Sequence, residues 1–150
     1  MSTQWLAVQS FERSQDILGA INTLSIHLKL RLAGVPDEER MQAAARARET
    51  LTTFFKKLDV TVQETQRGEA TPLLGVDPRL RQLVKSFVSA KRDHRRFHSV
   101  LFQRMPGDMV SLFVSEKAED LEALVQCLAE FRVILEEHVY EDTARILGEI

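Results

Sequence analysis

The sequence predicts an all-α protein, a single domain over residues 1–150 folded as an up-and-down antiparallel four-helix bundle. Three observations predict it. Apolar residues recur at steps of three and four along long stretches, which gathers them on one stripe of a helix. Turn-forming glycine and proline combinations fall at only three places: Gly34-Val35-Pro36, the stretch from Gly68 to Pro78, and Pro106-Gly107. Strand-like alternation, short repeats and low-complexity tracts are absent.

The first helix is expected over residues 3–33, with Leu6, Ile17, Ile21, Leu24 and Leu28 on one face and Ser2 or Thr3 as its cap. His27 lies at the edge of that face. Gly34 ends this helix, and Pro36 followed by Asp37, Glu38 and Glu39 starts the second: proline suits a first turn, and acids suit the positive end of the dipole. So short a turn makes the two helices antiparallel. The second helix, over residues 36–67, presents Ala44, Leu51, Phe55, Leu58 and Val62 on one stripe and contains no histidine. Residues 68–76 read as a loop.

Asp77-Pro78 then reads as a cap and a first-turn proline. On the third helix Leu80, Leu83, Phe87, His94, Leu101 and Met105 share a face, with His98 one turn beyond His94. Pro106-Gly107 ends or kinks this helix, and residues 108–114 add a further turn or two in the same direction. Ser115 is the expected cap of the fourth helix. There Leu124, Leu128, Phe131, Leu135, His138, Asp142 and Ile146 form one stripe, so an imidazole and a carboxylate occupy positions that normally hold oily side chains.

Composition narrows the class. With 44% hydrophobic and 28% charged residues, the chain can bury a core of ordinary size. Cys127, the single cysteine, reads as lying on the flank of the last helix; it excludes an intrachain disulfide and fits a reducing, cytoplasmic setting. The charge-free stretch of residues 17–28 is too short to span a bilayer and lacks a basic flank or cleavage site, so neither a membrane span nor an export signal is expected. The net charge of -2 hides an asymmetry. Residues 79–104 are strongly basic and residues 116–149 strongly acidic, and adjacent antiparallel helices would satisfy both.

Two imidazoles four residues apart, His94 and His98, fall on one helical face, and His138 with Asp142 repeats the spacing on the last helix. Three histidines and a carboxylate turned into a bundle are suitable ligands for iron, manganese or zinc. The pattern Asp93-His94-Arg95-Arg96-Phe97-His98, with Leu135-Glu136-Glu137-His138-Val139-Tyr140-Glu141-Asp142 further on, resembles the second half of hemerythrin-like cation-binding domains. Those are four-helix bundles that hold a non-haem di-iron centre through inward histidines and carboxylates. The resemblance implies His94, His98, His138 and Asp142 (or Glu141) as ligands, with His27 as the contribution of helix one.

Helix two departs from the family pattern: residues 58–65 contain no histidine, and Glu64 projects away from the apolar stripe. The expectation is therefore one metal ion, iron first, or a metal-free relative. A shared ion further requires the third helix to run on, bent at Pro106, so that His94 and His138 reach one height, with His27 remote from both.

Two function classes follow. One is a metal-binding bundle acting as sensor or carrier. The other is a metal-free bundle acting as a protein-interaction or regulatory module, including as a homodimer. No nucleophile and base pair, phosphate loop or thiol site argues for an enzyme. Arg81, Lys85, Arg92 and Arg96 form a basic stripe, but the net charge is negative and no aromatics are interleaved, so pairing with the acidic last helix is expected rather than nucleic acid. His27-Leu28-Lys29-Leu30 lacks the small neighbour and following lysine that phosphotransfer domains use to expose their histidine.

Overall fold

The computed structural model describes residues 3–68, 78–93, 104 and 106–148, and, of these, side chains from residue 11 onward except those of Gln66, Pro78 and Arg79. All regular structure among these is helical: α1 (Thr3–Leu32), a 3₁₀ turn (Glu38–Arg40), α2 (Met41–Gln66), α3 (Pro78–Arg92), α4 (Pro106–Val114) and α5 (Ala118–Gly148). None of these helices is long and apolar enough to cross a membrane.

Local chemistry accounts for the helix ends. At the end of α1 the Val35 amide donates to the Leu30 carbonyl and the Gly34 amide to the Arg31 carbonyl, both at about 3 Å. That pairing needs a left-handed residue, and Gly34 supplies it with φ of 75°. The second helix does not begin in α geometry at Pro36. Residues 35–37 are irregular and Glu38–Arg40 form the 3₁₀ turn, with Asp37 bonding no backbone amide and lying 3.6 Å from Arg40 instead. Pro78 opens α3 as expected; Asp77 and residues 69–76 lie outside the described residues. Ser115 acts from outside α5 rather than at its first turn: its hydroxyl accepts from the Lys117 amide and donates to Asp120.

The predicted stripes form the core. Ile17, Ile21, Leu24 and Leu28 of α1 are buried, as are Ala44, Leu51, Phe55, Leu58 and Val62 of α2 and Leu80, Leu83 and Phe87 of α3. On α5 the stripe from Leu124 to Leu135 is buried without a break. Leu6, Leu101 and Met105 fall among residues whose side chains are not described. Cys127 is fully buried rather than on the flank, because Leu124, Cys127, Leu128, Phe131 and Ile134 together make an apolar face wider than one line of residues. Helix α1 packs against both α2 and α5, and α4 against α2 and α5. The Phe55 ring joins three helices, its centroid 4.8 Å from that of Phe131 and 5.7 Å from that of Phe113.

One expectation is overturned. Pro106-Gly107 neither ends nor kinks the third helix; it starts a separate one. Helix α3 gives way to a turn at Asp93, and Pro106 is the first residue of α4, where its missing amide costs nothing. The Gly107 amide donates to Asp59 Oδ1 on α2 at 3.0 Å, while Leu80 and Leu83 line a cavity with Phe54 and Lys57. Residues 83 and 107 therefore sit at nearly the same height on α2. A bent but continuous helix would have separated them by roughly 36 Å at 1.5 Å per residue. The Asp59 carboxylate, placed against the positive end of α4, holds the new helix start where it is.

Candidate functional site

The polar end of the α5 stripe is the most unusual environment among the described residues. His138 and Asp142 have relative exposures of 1% and 0%, so the stripe continues inward through them, while Ile146 is only half-buried. One helical turn separates the two, and His138 Nε2 lies 3.5 Å from Asp142 Oδ2. Arg145 approaches from the next turn, with Nη1 3.6 Å from Asp142 Oδ1 and Nη2 4.0 Å from Glu141. Neither contact is a hydrogen bond, and neither Asp142 oxygen receives one from a described residue. Burial holds the imidazole of His138 below its ordinary pKa range; Asp142 and Glu141 oppose the shift and Arg145 adds to it.

The other predicted ligands are distributed differently. His94 and His98 lie outside the described residues. Asp93, the last described residue before them, lines a cleft with Glu137 and Glu141 of α5, and Lys85 lines the same cleft. His27 is half-buried, with a pKa lowered by burial and by Arg31, against the opposing effect of Asp37. It lies thirteen residues along α1 from Ser14, the α1 residue that shares a cavity with His138. That is about 20 Å along the helix axis, so His27 and His138 are not brought together. Glu64 is half-buried with one carboxylate oxygen shielded from solvent, less outward than its place on the helical wheel implies. No group of three or more His, Cys, Asp or Glu side chains converges among the described residues.

His138 also borders a cavity of about 180 Å³ between α1, α2, α3 and α5. Its walls are Ile17, Phe54, Leu80, Leu83 and Leu135, and its polar lining is Arg13, Ser14, Lys57 and His138. Ser14 is buried at 5% exposure, whereas Arg13 is half-buried and Lys57 exposed. Sequence reading passed over Arg13, Ser14 and Lys57. One signal was present: Ser14 stands a single step before Ile17 on the α1 stripe, as a hydroxyl in an otherwise apolar row. Lys57 gave none, because a lysine between two stripe residues reads as a solvated position.

Cys127 offers no reactive thiol. Burial, helped by Glu130, pushes its pKa up to about 11. Compared with known protein families, curated proteins and solved structures, the chain has no match.

Proposed function

We propose that this chain is a four-helix-bundle domain, with α3 and α4 together occupying the third position, that binds one metal ion through His138 and Asp142 and through His94 and His98 of the segment after α3. Iron is the first choice of ion, with manganese or zinc suited to the same donors. The observation that carries this reading is Asp142. A carboxylate withdrawn from water without hydrogen bonds costs several kcal/mol; Arg145, half-exposed and 3.6 Å away, offsets part of that, and an imidazole at 3.5 Å held neutral by burial does little to offset the rest. A cation between the two would do so, and Asp93 beside Glu137 and Glu141 brings the chain to α5 just before His94. A bound ion would neutralise the buried carboxylate and tie the α3 side of the bundle to α5, which suits a sensor or carrier in the cytoplasm. Elemental analysis of protein purified without chelator tests it. About one equivalent of metal, lost in Asp142→Asn and His138→Gln, is expected; less than about a tenth of an equivalent, with no uptake on addition, removes the reading.

A second reading, a metal-free bundle that works as a homodimer, has its own supporting observation. Val133, Tyr140 and Leu147 are exposed on α5 at 39%, 77% and 65%. Their seven-residue spacing puts three apolar side chains on one outward line, the spacing of a helix-to-helix seam. Sedimentation analysis of wild type against Tyr140→Glu with Leu147→Glu separates the readings: a dimer that the double variant dissolves supports this one, and a monomeric wild type removes it.

A further inference from the structure

The cavity beside His138 has a composition that neither reading uses. Five of its nine lining residues are apolar and come from all four of its helices, so its walls are held by the core itself. Two cations from different helices, Arg13 of α1 and Lys57 of α2, line the same space. Among the described residues neither side chain is in an ion pair. Like charges bordering one cavity repel, weakly where, as here, Arg13 is half-buried and Lys57 exposed to solvent. An anion between them turns that repulsion into two attractions.

Size and lining then define the ligand. A volume of about 180 Å³ equals roughly six waters at about 30 Å³ each, enough for one ring or a short branched chain and too little for a nucleotide. We propose that this cavity binds a small monocarboxylate with an apolar body, of benzoate or branched short-chain size. Its carboxylate lies between Arg13 and Lys57, and its hydrocarbon lies against Ile17, Phe54, Leu80, Leu83 and Leu135. Arginine offers a forked pair of donors matched to a carboxylate, and lysine adds a point charge. Ser14 and His138 are the remaining polar groups of the lining and set the orientation of any further polar atom on the ligand.

Calorimetric titration of the full chain with benzoate, benzamide and benzylamine tests this, because the three share a ring and differ in charge. Saturable one-to-one binding of benzoate is expected, with the other two at least about tenfold weaker. Arg13→Gln with Lys57→Gln should weaken benzoate at least about tenfold while leaving the helical circular dichroism unchanged, since neither residue belongs to the core. Leu83→Trp, which fills the space, should abolish binding. Equal affinity for benzoate and benzamide, no binding up to about 10 mM, or an unaffected double glutamine variant would overturn the proposal. Titrations with and without chelator keep it distinct from the metal reading. Unchanged binding supports the paired cations, and binding that disappears with chelator assigns the anion to the ion and removes this inference.

Discussion

Replacing Gly107 by alanine should destabilise the protein, and the loss should vanish or reverse when Asp59 is also replaced. A Cβ at position 107 would lie 2.9 Å from Asp59 Oδ2, 3.1 Å from its Cγ and 3.2 Å from Oδ1. The carboxylate has to move. It is held on one side by the Gly107 amide at 3.0 Å and on the other by Gln63 Nε2 at 3.0 Å, so moving it strains both hydrogen bonds. Hydrogen bonds to a charged group contribute roughly 1.5–3 kcal/mol each, at the lower end for a half-buried carboxylate such as this one. Alanine returns up to about 1 kcal/mol by its better helix propensity. The net loss for Gly107→Ala is then about 1–2 kcal/mol. At about 2–4 °C per kcal/mol for a chain of this size, Tm falls by roughly 2–8 °C. In an Asp59→Ala background the steric conflict is gone, and the same substitution should be neutral or stabilising. Urea denaturation of the four proteins, followed by far-ultraviolet circular dichroism, gives the coupling directly. Equal losses from Gly107→Ala in both backgrounds would refute the reasoning, because the close approach of α4 to Asp59 would then carry no energy.

Acid should weaken the fold through His138. Its folded pKa is depressed by burial, so the unfolded chain binds the proton more readily. Stability is therefore fully present above the unfolded pKa of about 6.5 and is lost as pH falls from there through the folded pKa, by at most about 1.4 kcal/mol per unit. His138→Gln in chelator-treated protein should flatten that part of the slope which His27, also depressed, does not supply; an unchanged slope between pH 7 and 5 would count against a buried neutral imidazole. Cys127 should resist alkylation at pH 8 in the native protein and react fully in about 6 M guanidinium chloride, since burial both shields the thiol and raises its pKa. Rapid native labelling would contradict its placement in the core. Phe55→Ala should cost about 3–5 kcal/mol in a thermal or urea melt, because the ring joins α2, α4 and α5; a loss under about 1 kcal/mol would show that the junction repacks.

Helix content, most helix limits and the inward faces were legible in the sequence because they depend on local rules. Apolar spacing of three and four assigns the buried face whatever the helix meets, which is why Leu124, Leu128, Phe131, Leu135, His138 and Asp142 are all buried as their period requires. Gly34 stops α1 through its own backbone conformation, and Pro78 opens α3 for the same kind of reason. Tertiary structure decided what no local rule contains. Pro106-Gly107 reads equally well as a stop, a kink or a start, and the choice falls to Asp59, 48 residues earlier, which captures the Gly107 amide. Heights along the bundle are likewise set by contacts between helices: the rise per residue was enough to place His27 far from His138, but only the packed molecule brings residues 83 and 107 to one level on α2. The cavity that joins Arg13, Ser14 and Lys57 to His138 arises from four helices at once. Periodicity specifies which way each side chain faces along its own helix; which side chains from other helices stand opposite depends on distant contacts, and the candidate sites are made there.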